Sequence, residues 1–182
     1  MPNLNNRTVA FLLTDGYEDS ELTSPWEAVT AAGAVAKLIS PAGMTVTGAH
    51  GHVQAVDASL AKAKPEDFDA LVLPGGVVNA DDLRTSKEAQ MFARAFFEQH
   101  KPVGVICHGG WLLIEAGVVE GRKMTSYPSL RTDLENAGAQ WEDSAVVVDK
   151  GFVSSRTPDD LPDFSRKLVE EIGEGKHKEQ RA

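Results

Sequence analysis

At 182 residues, with one cysteine, a formal net charge of −9 and a pI near 5.0, the chain has the length of one domain with a substantial core and lacks the clustered positive charge that nucleic acid or an anionic membrane demands. A lone cysteine forms no internal disulfide, which fits a reducing compartment and excludes a cysteine-rich metal site. Residues 1–6 are polar and lack the regions of a signal peptide, and no apolar run is long enough to span a bilayer, so a soluble, cytoplasmic protein without nucleic acid or membrane partners is expected.

Residues 8–13 read as a buried strand ending at Thr14, Asp15 and Gly16. Ser24 and Glu27 have capping-box spacing with Pro25 between them, which predicts a helix over 26–32 closed by Gly33; the acidic cluster Glu18, Asp19, Ser20 and Glu21 allows an earlier turn. A second strand follows over 34–39, then short β segments within 44–56 around Gly48 and Gly51, where His50 and His52 suit a solvated hairpin better than a metal site. Residues 68–73 form a third buried strand that ends in the loop Pro74, Gly75 and Gly76. A helix over about 87–99 leads into the apolar run 103–106.

Cys107 closes that run and is followed by His108, Gly109 and Gly110. A helix over 110–115 stops at Gly117, another covers 130–137, β segments lie at 145–148 and 152–154, and a last helix covers 162–172. The chain 1–182 is expected to be a single domain with a core of about 7–173 and a charged tail, 174–182, that frays.

Strands alternating with helices imply an α/β fold whose mostly parallel sheet is covered on both faces, with ligands beyond the carboxyl ends of the strands. Three loops meet there: 15–21, 74–76 and 107–109. A free cysteine is more often a small core hydrophobe than a nucleophile. Here a strand turning sharply into a helix gives the geometry of a nucleophile elbow, and the helix amides favour thiolate. The backbone amides of Gly76 and His108 could form an oxyanion hole, and a carboxyl of Glu18 or Glu21 buried beside the thiol would rise in pKa and could donate a proton. His108 adjoins the thiol, although adjacent side chains on a turn often diverge, and Asp81 or Asp82, in the loop expected after Gly76, could orient it. Solvation of a helix start and a plain tight turn are the simpler accounts of the acidic cluster and of Gly75 and Gly76.

Together these residues resemble the PfpI family of intracellular proteases and stress proteins, within the class I glutamine amidotransferase-like superfamily. The match runs from about Thr8 to Phe164, through Glu18-Asp19-Ser20-Glu21, Leu73-Pro74-Gly75-Gly76, Ile106-Cys107-His108-Gly109, Ser126-Tyr127-Pro128 and Ser155-Arg156-Thr157-Pro158. The resemblance implies a flavodoxin-like three-layer sandwich, with Cys107 as nucleophile, Glu21 as the carboxyl that hydrogen-bonds to it and Glu18 nearby. His108 matches the histidine of protease-type members, whose third residue comes from a neighbouring subunit of a homodimer or larger oligomer. Asp81 is the nearest candidate, where those members carry Glu. Tyr127 matches a residue lining the pocket, Trp111, at a position that varies in the family, is expected to narrow it, and Arg156, in a matched motif, is expected beside it. The resemblance further implies an enzyme without cofactor or metal, acting on small carbonyl compounds such as methylglyoxal or on glycated proteins. The alternatives are a cysteine peptidase acting on unfolded chains and a non-catalytic sensor that oxidises at Cys107.

Overall fold

The computed structural model describes residues 1–182. Its elements in chain order are β1 (Thr8–Leu12), α1 (Asp19–Ala31), β2 (Val35–Ser40), β3 (Thr45–Thr47), β4 (Val53–Ala55), β5 (Ala58–Ser59), β6 (Ala70–Leu73), α2 (Val77–Arg84), α3 (Lys87–Glu98), β7 (Val103–Ile106), α4 (Gly110–Glu115), β8 (Lys123–Met124), α5 (Arg131–Asn136), β9 (Gln140–Trp141), β10 (Val147–Asp149), β11 (Phe152–Ser155) and α6 (Leu161–Glu174).

Seven strands form the main sheet in the order β10, β11, β7, β6, β1, β2, β5. All pairings are parallel except β10 with β11, an antiparallel edge joined by a tight turn. The central strands are apolar without a polar face because both faces are covered. Alternate side chains serve opposite layers. Val9 and Phe11 of β1 join Leu22 and Val29 of α1 and Phe164 and Leu168 of α6 on one side. Ala10 and Leu12 join Phe92 and Phe96 of α3 and Leu112 of α4 on the other. The result is the three-layer α/β sandwich expected from the alternation of strands and helices. No helix is long and apolar enough to cross a membrane.

Several boundaries differ from the sequence expectation. Helix α1 starts at Asp19 rather than Trp26, with Pro25 inside it and Ser24 no cap. Tertiary contact overrides the capping signal. The Glu18 amide donates to the Gly75 carbonyl (3.2 Å) and the Glu21 amide to the Glu18 carbonyl (3.0 Å), which fixes a first turn seven residues early, while Leu22, Pro25 and Val29 are buried along one face. Pro25 leaves the Glu21 carbonyl without its usual i+4 amide.

Residues 77–84 form α2 where a loop was expected, since two β-branched valines opening the segment disguise it. Leu83 and Ala80 pack inward while Val77 and Val78 remain exposed. The tail does not fray: the His177 amide donates to the His100 carbonyl (2.8 Å), the His100 ring lies 2.7 Å from the Gln180 carbonyl, and Gln180 is fully buried.

Candidate active site

Cys107 follows β7 directly and opens a single 3-10 turn that runs into α4. Its φ is +61°, the left-handed region that a side chain with a Cβ enters at a cost of order 1 kcal/mol. That conformation turns the thiol out of the strand, at 8 % exposure, into the loops beyond the sheet's carboxyl edge. The amides of Gly76 and His108 both face the sulfur and lower its pKa. Contrary to the expected divergence, the neighbouring ring converges: His108 Nδ1 is 3.1 Å from Cys107 Sγ. Burial holds the His108 pKa below its ordinary value, favouring neutral imidazole. The ring is stacked on Tyr127 at 4.6 Å and meets the edge of Trp111 at 5.2 Å. Its far nitrogen faces Ser129 Oγ at 3.5 Å, a neutral partner at the outer limit of a hydrogen bond.

Glu21, in the first turn of α1, is completely buried. Its Oε2 accepts from the Gly75 amide at 2.7 Å, and its Oε1 has no partner in strict hydrogen-bond geometry. Burial pushes this carboxyl up to about 8, with the Glu18 charge adding to the effect. Burial and then an ionised Glu21 push the Cys107 thiol up to about 12. The second influence exists only when Glu21 has lost its proton. At neutral pH both groups hold their protons, and as the pH rises the acid and the thiol compete for one negative charge.

The glycine loop makes this proximity possible. A Cβ on Gly75 would stand 2.7 Å from the Cys107 Cβ and collide with Glu21 Oε2, and Gly76 sits at φ +89° against the backbone of residues 16–18. Asn79, buried in α2, ties the loops together. Its Oδ1 accepts from the Thr14 amide (2.7 Å), and its Nδ2 donates to the carbonyls of Pro74 (3.2 Å) and Gly75 (3.0 Å). Sequence reasoning missed Asn79 and Ser129, because a lone polar residue gives no periodic or spacing signal.

A cavity of about 400 Å³ opens over the thiol, lined by Cys107, His108, Glu18, Glu21 and Tyr127 together with backbone at Gly16 and Gly76. Val77 and Val78 of α2, Ala49 and Pro158 complete its lining. Residues 48–52 form a folded rim loop: Asp19 accepts from the amides of His50 (3.2 Å) and His52 (2.9 Å), and the Tyr17 hydroxyl donates to the His52 carbonyl (3.0 Å). His50, expected to be solvated, is largely so, and its Nε2 lies 3.2 Å from Glu18 Oε2.

Three expected site residues stand outside the cavity. Arg156 is bound by both carboxylate oxygens of Asp160 (2.9 and 3.0 Å) and by Asp143 (2.7 Å). Trp111 reaches the site only through the His108 ring, and its indole N–H donates to Asp133 (3.2 Å). Asp81 lies on the exposed side of α2, so within one chain no carboxylate orients His108.

A sequence model of the DJ-1/PfpI family matches residues 7–171, spanning every loop that builds this cavity. The chain belongs to the DJ-1/PfpI family. Among relatives in that family, the chain is 45 % identical to a deglycase of Pyrococcus horikoshii, over 88 % of this chain and 96 % of that one. It is 44 % identical to a Bacillus subtilis protein named "Putative cysteine protease YraA", over 90 % and 97 % respectively. "Protein/nucleic acid deglycase 2" of Escherichia coli is also 44 % identical, over 92 % and 99 %. Among solved DJ-1/PfpI structures, a two-domain protein from Anabaena variabilis with a ferritin-like second domain superposes with a TM-score of 0.89 at 30 % identity, covering 92 % of this chain and 48 % of that one. Drosophila melanogaster DJ-1beta gives 0.86 at 27 % identity, covering 92 % and 90 %.

Proposed function

We propose that this protein is a cofactor-independent cysteine enzyme that attacks reactive carbonyls or their adducts on proteins. The carrying observation is the buried, proton-holding Glu21 carboxyl beside Cys107 at the floor of a small cavity. Attack by the Cys107 sulfur on an aldehyde carbon forms a hemithioacetal and places negative charge on the former carbonyl oxygen. Glu21 is positioned to give that oxygen its proton, and the amides of Gly76 and His108 to stabilise the charge before transfer is complete. Neutral His108 is suited to accept the thiol proton and, with an α-oxoaldehyde, to move the proton of the hemithioacetal carbon to the neighbouring carbonyl carbon through an enediol. This isomerises the adduct, without an outside oxidant, to a 2-hydroxyacyl thioester, which water hydrolyses to the 2-hydroxy acid and the free thiol.

The names of the Pyrococcus and Escherichia relatives support this reading. A homodimer or larger homo-oligomer and a cytoplasmic setting belong to the same proposal. A peptidase is the second reading, favoured by the 3.1 Å approach of Cys107 and His108 and by the name of the Bacillus relative. It ranks second because Asp81, the candidate for an acid supplied by a neighbouring subunit, has a shorter side chain than the Glu of the protease-type members. The test is a parallel panel of methylglyoxal, glycated amines and unfolded peptides with wild type, Cys107→Ala and Glu21→Gln. Carbonyl consumption should be lost in Cys107→Ala and fall at least about a hundredfold in Glu21→Gln, the scale of a general acid's contribution. Full turnover by Cys107→Ala would end the proposal, and cleavage of peptides alone would favour the second reading.

A further inference from the structure

The cavity has one-sided charge. No lysine or arginine lines it, and the arginine nearest in sequence to its Pro158 rim, Arg156, is held by Asp160 and Asp143 instead. Glu21 keeps its proton near neutrality and His108 is biased toward the neutral form, so neither supplies a standing charge. Glu18 remains. Its carboxylate lines the cavity with its side chain 26 % exposed, and its field reaches the buried pair, where it raises Glu21. Its main chain is held by the Gly75 carbonyl, and its carboxylate oxygens face Ser20 Oγ at 3.5 Å and His50 Nε2 at 3.2 Å, which places the charge on the wall. The only basic partner within reach is His50, an exposed ring on the rim loop.

We propose that Glu18 makes the cavity charge-selective, admitting neutral and cationic electrophiles, including carbonyl groups attached to ammonium or guanidinium compounds, in preference to anionic ones such as α-keto acids. The choice of substrates rests on the carbonyl-enzyme reading, whereas the selectivity can be measured without turnover. Because Cys107 is the only cysteine, it can be titrated with methanethiosulfonates carrying an aminoethyl, a methyl or a sulfonatoethyl group. In each case the thiolate attacks the sulfenyl sulfur, a protein–reagent S–S bond forms, and methanesulfinate leaves with the electron pair of the broken S–S bond.

Rates normalised to a free thiol should favour the cationic over the anionic reagent, and Glu18→Gln should reduce that ratio by roughly tenfold, as expected for one charge a few ångströms from the reacting atom. His50→Lys, which places a fixed cation against Glu18 on an exposed site, should reduce it in the same direction. Glu66→Gln removes an equal charge beyond the amino edge of the sheet and should leave it within about twofold. An unchanged ratio in both site variants, or an equal fall in Glu66→Gln, would overturn the proposal. Methylglyoxal turnover with a flat ratio would remove the selectivity and keep the enzyme. A preserved Glu18-dependent ratio without carbonyl turnover would do the reverse.

Discussion

Burial of Glu21 has a pH signature opposite to that of an ordinary ion-paired carboxylate. Its folded pKa of about 8 stands above the unfolded value of 4.5, so between those limits the native state binds more protons and stability falls as pH rises. At roughly 1.4 kcal/mol for each unit between the two values, the cost reaches several kcal/mol above pH 8 and vanishes below about pH 4. Glu21→Gln keeps an acceptor for the Gly75 amide and removes the ionisation. The variant should therefore melt above wild type at pH 8.5 and converge with it at pH 4.5, measured by thermal denaturation across that range. A constant difference would mean that Glu21 is not the titrating group. At this scale Cys107, Glu21 and Glu18 were legible, because a thiol at a strand end and clustered carboxylates are unusual residues in telling places. The 3.1 Å Cys107–His108 approach was not, since it depends on a left-handed backbone at residue 107, which is not a glycine.

The helices carry the site in unequal ways. Helix α1 brings Glu21 inward only because its first turn is tied to the glycine loop, and α2 contributes Asn79, the clamp between two loops. Helix α3 stands apart: its amphipathic face, with Phe92, Phe96 and Phe97 buried, supports the opposite layer from α1 and α6. Ser86 caps it by accepting the Ala89 amide at 3.1 Å. Ser86→Ala should cost about 1 kcal/mol, read as a lower denaturant midpoint at unchanged slope, with the reactivity of Cys107 unaltered. A change in thiol reactivity would couple α3 to the site in a way these contacts do not provide. Strong periodicity made α3 readable over nearly its observed length. Helix α2 escaped because exposed valines and a buried asparagine reverse the usual pattern, and the start of α1 escaped because a long-range hydrogen bond outweighed a local proline signal.

Across the whole molecule, the two edges of the sheet do different work. The carboxyl edge holds the cavity. At the amino edge, the last residues close over the entry to β7 through the His177–His100 and His100–Gln180 hydrogen bonds, and His177 also pairs with Glu171 at 3.3 Å. Glu171, Glu174 and His177 bring ligand atoms within 4.8 Å of one another, an acidic cluster on the far side from the thiol. Removing residues 175–182 should lower the melting temperature by several degrees, since an ordered segment with a buried glutamine is lost, while Cys107 keeps its labelling rate at 20 °C. An unchanged melting temperature would mean the tail is a passenger. The parallel core and its order of layers were readable from the run of apolar strands. The ordered tail was not, because its composition is that of solvated chain and its partners lie about eighty residues away.

Gly75 has a consequence for how the chemistry could be taken apart. A single methyl group at that position would press on both the acid and the thiol from a residue that has no role in the proposed proton transfer or attack. Gly75→Ala should therefore act as a mechanical wedge, pulling the pH dependence of thiol labelling back toward that of an isolated cysteine while both reacting groups remain chemically intact. Titrating the labelling rate from pH 5 to 10 reads this directly, and a profile superimposable on wild type would mean that acid and sulfur tolerate separation.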